Sequence, residues 1–430
     1  MSEKNIHKTT KIPSQTWFVI IMLSLAGQIA WSVENSWFNT FVFDTITPNP
    51  TPVALMVAVS AITATVTTLV MGTFSDRKGR RKPFLLWGYM LWGLTTAIFP
   101  MSAYIKVIGL AIAMVVILDA LMTFFGSTAN DAVFNAWMTD ITDKTNRGRV
   151  MGAIAVIPLL TTGLTAAIGG LVIDNLGYYA FFYGLGGFVL LAGLISGPLV
   201  KESPDLKPND SGTTFWKQVW NVFEWETFRN NRTLFLIFTY IMIVAIADQI
   251  TLPYLFIYLE NFVGISKSIL GTVILMLTLI AGVASYIFGN LLIRWDRRST
   301  AIILGSIYAA GVFIFSLLRS VPTLFVLGTL YVVPMMLIRV LTGSWSMDLY
   351  PAGSRGQFQG VRMIFQVMIP MMIGPLIGSF IIAQVGIPTV LNGQAGFIPT
   401  SEIYWANALV ALLAVIPLLF IPRKVNKSTA

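Results

Sequence analysis

The chain has 430 residues, 56% of them hydrophobic and only 11% charged, with a mean hydropathy of +0.76; a soluble domain has about a quarter of its residues charged, so the composition excludes one and marks a membrane protein. There is no cysteine, and the single histidine, His7, lies in the polar N-terminal tail, which removes disulfides, thiolate nucleophiles, thiolate metal sites and any histidine proton relay inside the membrane. The net charge of +9 would suit a nucleic-acid partner, but its one-sided distribution between apolar segments excludes that reading.

A bilayer core of roughly 30 Å calls for about 20 apolar residues at 1.5 Å rise each. Such runs occur in chain order over 17–46, 52–74, 84–101, 107–139, 150–173, 179–200, 233–262, 268–293, 301–318, 323–347, 357–385 and 404–421. The predicted fold class is therefore an all-α membrane protein of twelve transmembrane helices. The first run far exceeds the roughly 7–15 residues of a signal-peptide core and lacks a small-residue cleavage site, so it is expected to remain as the first helix. Of the 28 Lys and Arg, only Lys106, Lys267 and Arg319 fall in the loops of one side and Arg339 deep within a span. The remainder sit at the termini and on the other side, which predicts cytoplasmic termini in a multi-pass protein of the inner (plasma) membrane.

Three echoes divide the chain. WMTDITDKTNRGRVMG (137–152) returns as WSMDLYPAGSRGQFQG (345–360), with Trp, Asp, Arg, Gly and Gly at the same internal spacing. Ile157-Pro158-Leu159-Leu160 with Gly163 and Gly169 returns as Ile369-Pro370-Met371-Met372 with Gly374 and Gly378, and GTFSDRKGRRK from Gly72 as GNLLIRWDRRS from Gly289. Their common order predicts two six-helix bundles, 1–200 and 233–430, related by a pseudo-twofold axis, with a linker over 201–232. That linker opens with the polar KESPDLKPNDSG, and in the following FWKQVWNVFEWETF residues Phe215, Trp216, Val219, Trp220, Val222 and Phe223 form an aromatic face at helical spacing. Such a helix is expected to lie in the membrane interface as a tether between the bundles.

Between the second and third runs, Gly72-Thr73-Phe74-Ser75-Asp76-Arg77-Lys78-Gly79-Arg80-Arg81 matches G-x-x-x-D-R-x-G-R-R in full. With twelve spans in two halves, the chain resembles the major facilitator superfamily along its whole length. The resemblance implies a transporter whose two bundles rock about a central site, with Asp76 facing the start of the eleventh helix near Arg355-Gly356-Gln357. The loop charges, Asp76 with Arg77, Arg80 and Arg81, Asp140 with Arg147, and Asp348 with Arg355, read as a latch that pairs between the bundles when the cytoplasmic side is shut and breaks when it opens, each exposed pair being worth ~0–1 kcal/mol and so able to release. The second copy of the motif has Ile293 and Asp296 where the first has its Asp and Gly.

Five ionisable groups lie well inside spans, away from their ends: Glu34 in the first, Asp119 and Asp131 in the fourth, Asp248 in the seventh and Arg339 in the tenth. Each costs roughly 2.5–3.5 kcal/mol to insert and normally faces a cavity or a partner, and the resemblance implies that these four spans line the central cavity. Gln28, Trp31, Glu34, Asn35 and Phe38 read as one polar face, as do Asp119, Thr123, Ser127 and Asn130; Tyr240, Val244, Asp248 and Thr251 align on the seventh span, and Tyr331, Met335, Arg339 and Thr342 on the tenth. Aromatic plates beside amides and carboxylates suit a small hydroxylated solute. The duplication sets Asp131 and Arg339 at equal depth, which predicts that they approach each other across the pseudo-twofold axis in at least one state.

Burial favours the neutral form of a carboxyl, so Glu34, Asp119 and Asp248 are the candidate proton carriers. TANDAVFNAWMTDIT and SDRKGRRKPF resemble the branch of sugar–cation symporters that includes glycoside–pentoside–hexuronide and sucrose transporters. The run over 52–74 has no carboxylate where melibiose-type members bind a cation, so a proton is preferred to sodium as the coupling ion. The alternative is a drug or lipid exporter of the same superfamily. A monomer without cofactor or enzymatic activity is expected, and the glycines at 163–170 and 184–187 are expected to serve close helix packing.

Overall fold

The computed structural model describes residues 12–143, 146–204, 206, 208, 229–350 and 355–422. His7 and the aromatic face at 215–223 lie outside them. Among the described residues, eleven helical stretches are long and apolar enough to cross a membrane. We number the crossings α1 (Ser14–Glu34), α2 (Pro50–Lys78), α3 (Lys82–Tyr104), α4 (Ile108–Ile141), α5 and α6 (together Arg147–Leu199), α7 (Arg232–Phe262), α8 (Lys267–Gly289), α9 (Arg297–Phe315), α10 (Val321–Asp348), α11 (Phe358–Val385) and α12 (Glu402–Leu419). The Arg147–Leu199 stretch bends at Gly177, where φ is 82° and ψ 171°, a conformation open to glycine. It therefore supplies two crossings and brings the total to the twelve expected.

Local chemistry sets where these helices start and stop. Asn49 accepts a hydrogen bond from the Thr51 amide at 2.9 Å ahead of the Pro50–Pro52 turn of α2, which ends at Gly79 with φ 58°, a proline-first, glycine-last pattern. Asp296 caps α9 through the Ser299 amide, and Ser320 with Thr323 forms a capping box at α10. The run over 17–46 is broken. Asn35 and Ser36 turn their side chains onto the Trp31 and Ser32 carbonyls, each at 2.7 Å, competing with the helix ladder; the helix resumes over Trp37–Phe41 after Ser36, whose φ of −134° and ψ of −78° are not helical.

Between α11 and α12 the chain forms a hairpin. β1 (Ile387–Leu391) pairs antiparallel with β2 (Gln394–Ile398) in the register Ile387↔Ile398, around Asn392 and Gly393 at φ 52° and 74°. Asn-Gly with both φ positive is the preferred two-residue hairpin turn.

The face carrying the basic loops shows the same fastening in each set of six helices. Arg81, opening α3, pairs with Asp140 at the end of α4 at 2.8 Å and with Asp76 at 2.6 Å; Arg297, opening α9, pairs with Asp348 at the end of α10 at 2.7 Å. The next residue repeats the symmetry. Lys82 donates to the Pro198 carbonyl near the end of α6 at 2.7 Å, and Arg298 to the Leu418 and Leu419 carbonyls of α12 at 2.8 and 3.1 Å. Burial works to lower the Arg81 pKa, but hydrogen bonds to Asp140 and Asp76 outweigh it and hold the guanidinium above its usual range.

In this state the loop charges tie helices within one set of six, so the pairing expected between the bundles is not made here. Asp140 is held by Arg81, while Arg147 donates to the Thr139 and Thr142 carbonyls and the Thr142 hydroxyl. Asp348 is met by Arg297, and the Arg355 side chain lies outside the description. Asp76 meets Arg81, and neither Arg77 nor Arg80 forms an ion pair among the described residues.

Polar contacts between the two sets gather on the opposite face. Lys267 at the start of α8 pairs with Asp44 at 3.1 Å and with Glu260, and Tyr178 donates to Asp44 at 2.6 Å. The Ser268 amide donates to Asp174 at 2.8 Å, the Asn392 side chain to the Asp44 carbonyl at 2.9 Å, and the Phe397 amide to the Pro48 carbonyl at 3.1 Å. Here α5 and α8 touch backbone to backbone: a Cβ on Gly170 would fall 2.1 Å from the Lys267 carbonyl oxygen, and one on Gly271 2.1 Å from that of Ala166. Gly163, Gly169, Gly170 and Gly186 serve the close packing expected of them, whereas Gly184 and Gly187 face open space. Toward the basic face Met151, Val156 and Leu160 on α5 and Tyr286 and Ile287 on α8 are exposed. Among the described residues, the space between the two sets thus opens on the basic side and is closed on the other.

Candidate functional site

That space holds a cavity of about 420 Å³, within the roughly 300–1,000 Å³ typical of small-ligand sites. On α1 and its C-cap, Gln28, Trp31 and Asn35 recur at i, i+3 and i+7 and form one wall; Asp248 and Gln249 of α7 with Tyr331, Met335 and Arg339 of α10 form the other. Trp31 is braced by Trp92 with ring centroids 5.0 Å apart.

Behind the second wall runs a chain of buried hydrogen bonds. Tyr331 donates to Asp248 Oδ1 and Arg339 to Oδ2, both at 3.1 Å. Thr251 and Tyr331 hydroxyls lie 3.3 Å apart, Asn407 of α12 donates to Thr251 at 2.9 Å, and Tyr308 to Asn407 at 3.2 Å. The Asp248 side chain is 3% exposed and that of Arg339 50%. The carboxylate is thus walled in with both oxygens satisfied, while the guanidinium, with five donors in a planar fork, projects into the cavity. A smaller pocket of about 170 Å³ adjoins it beside Arg339, Gln249 and Gln366.

The first six helices hold a different cluster. Ser60 on α2 and Thr123 on α4 donate to Glu34 Oε1 at 2.8 and 3.1 Å, and their hydroxyls are 2.7 Å apart. Glu34 Oε2 and Asp119 Oδ1 are buried without a hydrogen-bond partner. Asp119 is one turn from Thr123 on α4. Asp131 accepts from Ser127 at 3.1 Å and Asn130 at 2.9 Å, and Tyr89 donates to Asn130 at 3.0 Å. Ser127, Asn130 and Asp131 lie on a π-helical stretch of α4, Ser127–Phe134, a distortion common at functional sites.

Of the residues singled out from sequence, the cavity gathers Gln28, Trp31, Asn35, Asp248 and Arg339 and leaves Glu34, Asp119, Asn130 and Asp131 behind its first wall. Glu34 does not share the face of Gln28, Trp31 and Asn35. It sits about 100° around the helix from Asn35, toward Ser60 and Thr123. Phe38, beyond the break in the first run, stacks on Phe99 at 4.1 Å instead of facing the cavity. In this structure Arg339 pairs with Asp248 of its own six helices, and Asp131 is served by Ser127 and Asn130, so the expected Asp131–Arg339 approach is not made here. Sequence reasoning passed over Ser60, Gln249 and Asn407. Asn407 is the one side-chain amide in the run over 404–421, a signal that could have found it.

A family model described as Major Facilitator Superfamily matches residues 16–280 and 237–430. The chain belongs to the Major Facilitator Superfamily. It is a multi-pass membrane protein of this transporter family, and its cavity lies where the two six-helix sets meet. Sugar efflux transporter A of Dickeya chrysanthemi is 23% identical over 321 residues, covering 72% of this chain and 76% of its own. The fold is shared with a D-xylose-proton symporter (TM-score 0.71, 12% identity, 95% of this chain and 98% of that one). It is shared as well with the nucleoside transporter NupG (TM-score 0.69, 13% identity, 93% and 99%).

Proposed function

We propose that this transporter moves a sugar or glycoside by proton-coupled symport through alternating access. The observation that carries the reading is the 420 Å³ cavity with an amide–aromatic wall on α1 and a Gln–Tyr–Arg wall on α7 and α10. Rings cover the apolar faces of a sugar, and amide and guanidinium donors meet its hydroxyls. The resemblance in fold to a D-xylose-proton symporter supports the same class. Residues 1–200 and 233–430 act as the two moving bundles, joined by 201–232. The basic face is cytoplasmic, with both termini on that side of the inner membrane, and the structure is then the state open to the cytoplasm.

Glu34 is the proposed proton carrier. Its Oε2 is buried and unpartnered, and no cation lies within ion-pair distance of Glu34 or Asp119 among the described residues, so an added proton removes an uncompensated charge. Asp248 already has Arg339 as its counter-charge. The likeness to a sugar efflux transporter favours a second reading, in which the same site and proton drive export by exchange. Purified protein in liposomes, given a panel of labelled sugars under imposed proton or sodium gradients of either direction, tests both. Symport predicts accumulation when the proton gradient points inward with the sugar, and exchange predicts accumulation against it. Transport of apolar amphiphiles with no sugar flux overturns the sugar reading.

A further inference from the structure

Away from the central cavity, α2, α3 and α4 leave a second concavity at the basic face, a groove of about 550 Å³. Lys78 and Arg80 stand at its mouth. Both are exposed, and neither makes an ion pair among the described residues, because the nearby carboxylates Asp76 and Asp140 are taken by Arg81. The Lys78 ammonium is held at the rim, 4.7 Å above the Phe74 ring, which meets Phe84 edge-on at 5.7 Å. From there the groove runs inward along Phe84, Trp87 and Leu91, one stripe of α3, with Phe124 and Phe125 of α4 opposite.

Two features make this more than an ordinary lipid-facing surface. Gly88 lowers the floor, since a Cβ there would fall 2.6 Å from that of Ala129. Trp87, 57% exposed, leaves its ring free on the rim of the slot. Phe84 to Leu91 spans ~10 Å along the helix, so the slot runs down from the membrane surface as a lipid tail does. Two cations that make no ion pair among the described residues, at the end of the slot where the basic loops lie, attract anionic lipid, and basic pockets between transmembrane helices commonly hold such headgroups.

We propose that this groove binds one anionic phospholipid, its phosphate on Lys78 and Arg80 and one acyl chain along Phe84, Trp87 and Leu91. A zwitterionic lipid can fill the same slot but brings no net charge to the cations. The site is separate from the transport cavity, and the proposal stands whatever solute that cavity carries.

The test uses the full chain in nanodiscs doped with phospholipids brominated on their acyl chains, which quench tryptophan on contact. The chain has 12 tryptophans, so the Trp87 signal is read as the difference from Trp87→Phe. Brominated phosphatidylglycerol is expected to quench Trp87 at a mole fraction roughly 30-fold lower than brominated phosphatidylcholine, about 5-fold for each cation. Lys78→Gln with Arg80→Gln should abolish that preference and leave quenching by phosphatidylcholine intact. If the double variant does not assemble, each single variant should lose about 5-fold. Equal quenching by the two lipids overturns the proposal, as does a preference that survives both substitutions. Loss of phosphatidylglycerol contact on adding millimolar glycerol phosphate would show a site for soluble anions and would equally overturn it.

Discussion

Replacing Gly170 by alanine tests whether the contact of α5 with α8 keeps the face opposite the basic loops shut. The added Cβ would sit 2.1 Å from the Lys267 carbonyl oxygen and 2.6 Å from its carbon, where ordinary contact is about 3.5 Å. Both obstructing atoms are backbone, so no rotamer change relieves them, and the helices must part by roughly 1 Å or more. Overpacking of this kind costs about 1–3 kcal/mol. The cost falls only on the state in which this contact exists, so the equilibrium should shift about 5- to 150-fold toward opening on that face. The chain has no cysteine, so spin labels can be placed without background. Leu176→Cys at the end of α5 and Val390→Cys in the hairpin are 70% and 67% exposed and report across the closed face by electron–electron resonance. Met151→Cys with Tyr286→Cys report across the open one. Gly170→Ala should lengthen the first distance and shorten the second, while Gly184→Ala, with nothing within 4 Å of its Cβ, should change neither. An unchanged distance distribution in folded Gly170→Ala protein would refute the argument that this crossing holds the closed face.

Three further substitutions address the buried charges. Glu34→Gln should abolish gradient-driven accumulation in liposomes while sparing sugar exchange at equilibrium; retained accumulation would remove Glu34 as the proton carrier. Arg339→Gln leaves Asp248, 3% exposed, without its counter-charge and should cost about 3–5 kcal/mol, whereas Asp248→Asn leaves a half-exposed guanidinium that water can serve and should cost less. The double variant should recover much of the Arg339→Gln loss in thermal unfolding, and additive losses would deny the pairing. On the basic face, Arg81→Gln breaks two ion pairs, one of them to the half-exposed Asp76, and should cost about 1–3 kcal/mol. Arg77→Gln, at an exposed position, should stay within about 0.5 kcal/mol in the same melt.

Several parts of the site were legible residue by residue. The stripe of Gln28, Trp31 and Asn35 follows from 3.6 residues per turn, and all three reach the cavity. The rule that ionisable groups in a span are partnered or face water marked Asp248 and Arg339. It could not say that they would meet each other rather than Asp131, because Asp248 and Arg339 stand 91 positions apart on helices whose relative rotation is fixed by packing. Glu34 shows the resolution limit of a helical wheel: one residue from Asn35, it is turned out of the cavity toward Ser60 and Thr123. The Asn392-Gly393 hairpin carried its own turn signal, overlooked among apolar neighbours.

Sequence alone determined the membrane class, the twelve crossings and the family, because a bilayer imposes length and polarity on each segment separately. It also carried the repeated segments that supply Asp140 and Asp348 and the arginines about Arg81 and Arg297, but it matched the two aspartates with Arg147 and Arg355 instead. Which carboxylate each arginine holds, which face is closed and which side of α1 meets the cavity were decided by the tertiary structure. Those outcomes depend on distances between helices remote in the chain, set by backbone contacts such as Gly170 on Lys267, and a one-dimensional pattern of polarity does not encode them.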